Sequence, residues 1–373
     1  MTDSVLFQPL TWAGNHLKNR MVLAPLTRGR AGADRIPNKI IGDHYVQRAQ
    51  AGLIISEATS ISQEGNGWVD SPGIYTDAMV EGWRSVVSRV HQAGSKMVLQ
   101  LWHTGRASHS DFHNGNLPLS ASAVKIEGDE IHTPHGKKEY EVPKAMTLDD
   151  IQRTVEDYKK AAVNAKAAGF DGIEVHAANG YLINQFIDSR SNQRNDEYGG
   201  SLENRYRFLS EVMDAVLSVW PAEQVGVRLS PNGVFNDMGA DDFRETFTYV
   251  TQQLNKLNIG YLHVMDGLAF GFHERGEPMT LAEFRALFDG IIIGNCGYTK
   301  EDAEKRIGDG DGDMVAFGRP WITNPDLPER FANNHPLTAF DDPASWYGNS
   351  VEGYNDFKTF NEQSGKSSLE ALS

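Results

Sequence analysis

Cysteine is almost absent from this chain: Cys296 is the single one among 373 residues. An intrachain disulfide, a zinc ion held by cysteines and an iron–sulfur cluster held by thiolates are therefore excluded. Long apolar runs are missing as well, since no stretch approaches the ~20 apolar residues that a membrane helix needs. The first residues resemble no signal peptide, so we expect a cytoplasmic protein that uses neither a metal nor a membrane.

Positive charge is also scarce. The 35 lysines and arginines face 50 aspartates and glutamates, which gives a formal net charge of −15. Nucleic acids are bound through basic surfaces, so we expect no nucleic-acid partner. With 40% hydrophobic residues, the composition is that of an ordinary globular protein that can bury a large core without a disulfide or a metal.

Short apolar runs rich in β-branched residues alternate with helical patterns along the chain. The helical stretches include residues 78–93, 148–168, 201–219 and 242–257. Strand alternating with helix predicts parallel strands joined by helical crossovers. Because there are eight such runs, the sequence predicts an α/β fold, a single-domain (β/α)8 TIM barrel. The runs begin near residues 20, 52, 97, 172, 225, 261, 290 and 313.

We assign the barrel domain to residues 1–360, and we expect the polar tail at residues 361–373 to be disordered. A polar insertion at about residues 108–144 follows the third strand, where it should cap the mouth of the barrel. A doubly wound open sheet is the alternative fold. It would normally carry a G-x-G-x-x-G turn after its first strand, and residues 27–33 read TRGRAGA instead. The barrel is therefore favoured.

Polar side chains occupy strand positions that should face the lumen. Alternation places Glu174 and His176 of the fourth run inside, together with Arg228 of the fifth. Glu174 and Arg228 lie on neighbouring strands and could simply neutralise each other. The whole set, which also includes Gln100 and Trp102 of the third run, indicates a large polar ligand because buried polar groups are costly without partners.

The last two strands carry a second signal at their carboxyl ends. The seventh run ends in Gly294-Asn295, and the eighth is followed by Gly318-Arg319. In TIM barrels the loops after these two strands often bind phosphate through backbone amides and a guanidinium. We therefore expect a phosphate group at this edge of the barrel.

Three longer motifs point to one family. They are LQLWHTGR at residues 99–106, GFDGIEVHAANGYLINQF at residues 169–186 and SNQRNDEYGGSLENRYRF at residues 191–208. With these motifs, and with matching segments along nearly the whole chain, the sequence resembles the old yellow enzyme family of FMN-dependent ene-reductases. It is most similar to the bacterial branch that includes N-ethylmaleimide and nitrate-ester reductases.

The resemblance implies roles for individual residues around a non-covalently bound FMN. His176 and Asn179 would bind the carbonyl or nitro oxygen of the substrate, and Tyr181 would donate a proton. The isoalloxazine would be surrounded by Pro25, Leu26, Thr27, Ala58, Gln100 and Arg228. The phosphate would be held by Gly294, Asn295, Gly318 and Arg319, and the substrate cavity would be lined by Trp68, Trp102 and Tyr347.

The resemblance also implies the reaction. NAD(P)H would reduce FMN, and the same mouth would then admit an activated alkene (an enone or a maleimide, with nitroesters and nitroaromatics as further acceptors) in a ping-pong cycle. Trp68 stands where the family commonly has tyrosine, which should alter substrate preference. A flavin-binding sensor and a non-redox barrel lyase remain alternatives, although none of the eight runs offers the inward lysine of a Schiff-base aldolase. The protein would be a monomer or a small homo-oligomer.

Overall fold

Strands and helices alternate through the computed structural model, which describes residues 4–339 and 343–365. In that part of the chain the strands are β1 (Leu10–Trp12), β2 (Asn15–Leu17), β3 (Met21–Leu23), β4 (Leu53–Ile55), β5 (Thr59–Ser60), β6 (Met97–Trp102), β7 (Leu119–Ser120), β8 (Glu130–Thr133), β9 (Gly136–Glu139), β10 (Lys144–Ala145), β11 (Gly172–His176), β12 (Val225–Leu229), β13 (Tyr261–Val264), β14 (Ile291–Asn295) and β15 (Met314–Phe317).

The helices of the same described ranges are α1 (Lys39–Gln47), α2 (Asp77–Gln92), α3 (Leu148–Ala168), α4 (Leu182–Ile187), α5 (Leu202–Leu217), α6 (Phe243–Asn255), α7 (Leu281–Arg285), α8 (Lys300–Gly308), α9 (Arg319–Thr323), α10 (Leu327–Asn333) and α11 (Phe360–Gln363). The four helices predicted from the sequence are α2, α3, α5 and α6, each within two residues of its expected ends. The local signals are strong: α3 begins with a capping box between Thr147 and Asp150 and ends at Gly169, whose φ is 90°.

Eight parallel strands close into a barrel in the order β3, β4, β6, β11, β12, β13, β14, β15 and back to β3. Closure occurs where β6 pairs with β11, with Gln100 opposite Glu174. These are the eight runs predicted from the sequence, so the (β/α)8 barrel is confirmed.

The lumen of the barrel has two halves. Its lower half, toward the amino ends of the strands, is an apolar cluster into which the β1–β2 hairpin inserts Trp12 and Leu17. The strands contribute Val22, Leu53, Ile55, Val98, Tyr261, Ile293 and Met314 to this lower lumen. Side chains of the alternate positions pack outward against the helices, as Leu99, Ile173 and Val227 do. The upper lumen, toward the carboxyl ends, is polar and is described below.

The predicted capping insertion lies over the mouth. It contains the antiparallel hairpin of β8 and β9, together with β7 and β10, which pair with each other. Phe112, Ile126 and Ile131 of this insertion form one buried cluster with Trp102 and Tyr181 of the barrel. The cap therefore packs directly on residues at the ends of β6 and β11.

A segment near the end of the chain, residues 343–355, is bound to the loop after β3. Arg28 donates to the carbonyl oxygens of Trp346 and Gly353 at 2.8 and 2.7 Å, and the ring of Tyr354 stacks on His44 at 3.9 Å. Of the predicted disordered tail, residues 361–363 belong to α11, and residues 366–373 lie outside the described residues. None of the helices within residues 4–339 and 343–365 is long and apolar enough to span a bilayer.

Candidate active site

A cavity of about 340 Å³ opens at the carboxyl ends of the barrel strands. Its volume lies in the range of small-molecule sites. It brings together twelve of the residues expected from the sequence, although they come from widely separated segments. They are Pro25, Leu26, Thr27, Ala58, Trp68, Gln100, His176, Asn179, Tyr181, Arg228, Arg319 and Tyr347.

Four expected residues lie outside the lining of this cavity. Trp102 is fully buried and packs edge-on against the Tyr181 ring, with the centroids 5.0 Å apart, so it supports the cavity wall from behind. Asn295 has its side chain in the lumen beneath, and Gly294 points toward Leu281, where an added Cβ would come within 2.8 Å. Gly318 directly precedes α9. Their proposed phosphate contacts stay predictions.

The loop after β3 forms one wall of the cavity, and a buried acid holds it in place. The Glu57 carboxylate accepts hydrogen bonds from the backbone N–H groups of Arg28 and Gly29 at 3.1 and 3.4 Å. The backbone N–H of Glu57 donates to the Tyr45 hydroxyl at 2.7 Å. Burial raises the pKa of Glu57 to about 7, against the opposing effect of these hydrogen bonds. Thr27 is thereby presented to the cavity from a fixed backbone.

Arg228 projects from β12 into the cavity. Its Nη2 donates to Oδ1 of Asn295 at 2.7 Å, while its Nε is buried and has no hydrogen-bond partner among the residues that the structure describes. A buried donor left without an acceptor is costly, which indicates that a ligand acceptor belongs there. Burial lowers the pKa of Arg228 from its usual range, and nearby Glu174 opposes that shift.

A buried carboxylate lies on β11, below the cavity. Oε1 of Glu174 accepts from Gln100 Nε2 at 2.7 Å, and Oε2 is bonded to His263 Nδ1 at 2.9 Å across the lumen. Arg228, which the sequence suggested as its partner, makes its side-chain contact with Asn295 instead. The simple pair of neighbouring charges is thus replaced by a Gln100–Glu174–His263 cluster.

His176 and Asn179 present donors to one side of the cavity. Nδ1 of His176 accepts the backbone N–H of Ala178 at 3.4 Å, which leaves Nε2 to carry the ring proton. Burial lowers the pKa of His176 well below its usual value, with Arg228 adding to the effect, so the ring is a neutral donor. Asn179 has a φ of 58°, and its N–H donates to Ser230 Oγ at 2.7 Å, which orients the turn.

Tyr181 lies at the start of α4, where its ring meets both Trp102 and His176. The ring centroids of Tyr181 and His176 are 5.1 Å apart. Burial raises the pKa of the Tyr181 phenol, so the hydroxyl keeps its proton at neutral pH. The Asn236 side chain opposes this shift by hydrogen bonding to the phenol, and its Nδ2 also donates to the Asn179 carbonyl at 2.8 Å.

Trp68 and Tyr347 form the outer wall of the mouth. Their rings lie 5.3 Å apart at 51°, so the loop after β5 meets the segment that Arg28 holds near the end of the chain. Arg35 donates to the Trp68 carbonyl at 3.0 Å and fixes that loop from behind. Trp68 keeps the aromatic surface expected at this position but presents no hydroxyl.

The opposite end of the cavity carries the positive charge of Arg319, and its backbone segments pack closely against each other. Arg319, the first residue of α9, donates to the Ala269 carbonyl at 3.1 Å, and its guanidinium lies 4.2 Å from the Phe270 ring centroid. Gly267 passes so near that a Cβ would come within 1.7 Å of the Cys296 carbonyl oxygen. Only glycine fits at this approach. A planar guanidinium here suits a phosphate group.

Three functional residues have no counterpart in the sequence predictions: Glu57, Asn236 and His263. The sequence predicts Glu174 in the lumen, but with Arg228 rather than His263 as its partner. The alternation of β13 could have found it, since His263 follows the lumen residue Tyr261 by two positions. Asn236 lies in a loop and carries no periodic signal. In the described ranges no three His, Cys, Asp or Glu side chains are grouped to hold a metal ion.

Comparison with known proteins gives a consistent result. A family model described as NADH:flavin oxidoreductase / NADH oxidase family matches residues 5–338. A Leishmania infantum protein named "probable flavin mononucleotide-dependent alkene reductase" is 40% identical over 358 residues, covering 95% of this chain and 97% of the relative.

Two solved structures are similar to this chain in both sequence and fold. An old yellow enzyme homologue from Zymomonas mobilis superposes with a TM-score of 0.91 at 44% identity, covering 95% of this chain and 99% of the other. Morphinone reductase in complex with tetrahydroNAD superposes with a TM-score of 0.90 at 42% identity, covering 96% and 98%. Both structures match almost the whole length of this chain, at identities that indicate common ancestry.

Proposed function

Because the chain belongs to the NADH:flavin oxidoreductase / NADH oxidase family, we propose that it is an NAD(P)H-dependent ene-reductase acting on activated alkenes such as enones and maleimides. The observation that carries this proposal is the convergence of His176, Asn179 and Tyr181 on one cavity that also contains Arg228. In this cavity the acceptor oxygen and the alkene of a substrate could lie next to a proton donor of the protein. The Arg228 Nε–H, which has no acceptor among the described residues, lies beside them.

The cavity residues fit FMN. The unpartnered Nε of Arg228 suits the acceptor-rich pyrimidine edge of the isoalloxazine, with Gln100 and Thr27 on the same walls. Pro25, Leu26 and Ala58 offer small or apolar surface to the ring, and Arg319 would hold the phosphate. When bound, FMN supplies the redox chemistry by accepting hydride from NAD(P)H and passing it to the alkene.

His176 and Asn179 would polarise the substrate. Two neutral donors directed at one carbonyl or nitro oxygen stabilise the negative charge that develops there when the β carbon is attacked. The neutral state of His176 suits this role, because its Nε2 donates without carrying a full charge beside Arg228. Asn179 has its side-chain amide available, since its hydrogen bonds within the described residues involve only its backbone N–H and carbonyl.

Tyr181 would deliver the proton to the α carbon. Its hydroxyl is protonated at neutral pH, and the Asn236 side chain opposes the rise in its pKa. The mouth, walled by Trp68 and Tyr347, would admit nicotinamide and alkene in turn, which is the physical basis of a ping-pong cycle.

Nitroesters and nitroaromatics present the same kind of oxygen to His176 and Asn179 and are further candidate acceptors. The single cysteine is compatible with a cytoplasmic location, which stays a prediction.

The test is anaerobic half-reaction kinetics of Tyr181→Phe with each nicotinamide and with a panel of enones, maleimides and nitro compounds. Flavin reduction by NAD(P)H should survive, while reoxidation by weakly activated enones should slow by about 10²–10⁴-fold because the general acid is lost.

Tyr140→Phe is the matched control. Tyr140 is a buried tyrosine of the same cap cluster that lies outside the cavity lining, so both half-reactions should keep their rates. Equal reoxidation by wild type and Tyr181→Phe would remove Tyr181 from its role. A protein whose flavin is not oxidised by any alkene would favour the sensor instead.

A further inference from the structure

The upper lumen contains two opposite charges that do not contact each other directly. Glu174 is completely buried, and the structure satisfies its two oxygens with Gln100 and His263. Arg228 is nearly buried and is tied to Asn295. The ladder between β11 and β12 pairs His176 with Arg228, so Glu174 lies two residues below that pair and on the same face.

The charge of the cluster can be assigned. Burial favours protonation of Glu174, but His263, Arg228 and Gln100 oppose it, and together they hold its pKa below the ordinary value. Burial lowers the pKa of His263 despite the carboxylate, so the imidazole is neutral and donates Nδ1–H. The Gln100–Glu174–His263 cluster therefore carries one negative charge, which hydrogen bonds hold in a fully buried part of the lumen.

Buried charges act over longer distances than exposed ones because little water screens them. Arg228 alone would stabilise the negative charge that reduction places on a flavin ring. Glu174, located beneath Arg228, acts in the opposite direction. A cluster with only a structural role would need no ionised group here, since a neutral amide could make the same two hydrogen bonds.

We propose that Glu174 is a tuning residue whose buried negative charge offsets Arg228 and lowers the midpoint potential of the bound flavin. A lower potential favours hydride transfer to the alkene and slows hydride acceptance from nicotinamide. The cluster thus balances the two halves of the cycle. This inference rests on FMN lying in the cavity and does not depend on which alkene is the substrate.

The test is the flavin midpoint potential of Glu174→Gln, measured anaerobically against a reference dye in the FMN-loaded protein. The introduced amide can accept from Gln100 and donate to the other neutral tautomer of His263, so both hydrogen bonds survive while the charge is removed. We expect reduction to become about tenfold more favourable, which for a two-electron couple is a rise of about 30 mV. Reduction by NAD(P)H should speed up, and reoxidation by alkene should slow.

His263→Asn is the matched control, because it keeps a donor at the position of Nδ1 and changes no charge. Its potential should stay at the wild-type value. The double variant E174Q/H263N pairs two amides and should show the same rise as Glu174→Gln, so it decides the matter if the single variant does not fold. Where flavin is lost on purification, the ratio of dissociation constants for oxidised and reduced FMN gives the same quantity.

A potential unchanged by Glu174→Gln and by the double variant would overturn the proposal. So would an equal rise in His263→Asn, which would assign the effect to packing. If neither Glu174→Gln nor the double variant folds, the carboxylate is required for folding and the proposal of a tuning role is overturned. An ene-reductase with an unaltered potential would refute only this inference, whereas a retuned flavin that no alkene oxidises would refute only the proposed function.

Discussion

The two halves of the barrel lumen are built from the same strands but obey different rules. On β6, Val98 belongs to the apolar lower lumen, and Gln100, two residues later, belongs to the polar upper lumen. On β13 the same step leads from Tyr261 to His263. The lower lumen is closed by the β1–β2 hairpin, whereas the upper lumen opens into the cavity.

The difference separates stability from function. The lower lumen gains free energy from burial of apolar surface. The upper lumen contains a buried carboxylate and an arginine whose Nε has no acceptor within the described ranges. Burial of a donor without an acceptor costs free energy, and a bound ligand would supply the missing acceptor. Substitutions in the lower lumen should therefore affect folding, and substitutions in the upper lumen should affect chemistry.

The largest effect is expected in the lower lumen. Leu53 is fully buried there, and Leu53→Ala should lower the free energy of unfolding by about 2–5 kcal/mol through lost burial and a residual cavity. Urea unfolding at saturating FMN measures it, with kcat/KM expected to stay within about twofold where the fold persists. A variant with native stability and lost activity would contradict the separation of the two halves.

His176→Ala should show the opposite profile. Loss of one donor to the developing oxyanion is expected to lower kcat/KM for an enone by about 10²–10³-fold. The unfolding midpoint should change far less than in Leu53→Ala, because the His176 ring makes a single long hydrogen bond with Ala178. Steady-state kinetics and thermal unfolding of the same variant test this expectation. An unchanged kcat/KM would exclude His176 from binding the acceptor oxygen.

A smaller effect is expected from Asn236→Ala. Asn236 supports the Tyr181 hydroxyl and the Asn179 carbonyl but contributes no proton and no hydride. Loss of about 1 kcal/mol of hydrogen bonding should slow alkene reduction by about fivefold. The nicotinamide half-reaction of the same variant is the internal control and should keep its rate. Equal slowing of both half-reactions would indicate a general distortion of the cavity.

The smallest expected effect concerns pH. The pKa of His176 lies well below 6.5, and that of Tyr181 lies above 10. His176 is therefore already deprotonated and Tyr181 still protonated throughout pH 6–8, so neither group changes its charge in this window. Glu57, whose pKa burial raises to about 7, does titrate in this window, so the test uses Glu57→Gln, in which stopped-flow reoxidation by an enone across pH 6–8 should give a flat profile. A rise in rate with an inflection near 6.5 would mean that His176 titrates and that its burial has less effect than the structure indicates.

Most of the fold could be predicted from the sequence because its signals are local. Strand runs, helix periods and caps such as Thr147 act within a few residues, and they gave the eight strands and four helices. The sequence did not predict α4, because six residues span less than two helical turns, or the β1–β2 hairpin, because it lies outside the strand–helix repeat.

Most of the candidate site could be predicted because the sequence resembles the old yellow enzyme family, and that resemblance implies twelve of the residues that line the cavity. His176, Asn179 and Tyr181 lie within six positions and were found together. Glu174 required His263 from a strand two places away, and Asn236 required a loop from the other side of the mouth. Trp102 was expected to line the cavity, but the cap buries it behind Tyr181. Such contacts are set by barrel closure, which no local pattern encodes.

The most direct test of the upper lumen as a flavin site for alkene reduction is one anaerobic absorbance titration of the FMN-loaded protein. NADPH or NADH should bleach the flavin band with one equivalent per bound FMN, and one equivalent of an enone should then restore it. Bleaching without recovery by any activated alkene, or a protein that retains no flavin at saturating FMN, would contradict the account.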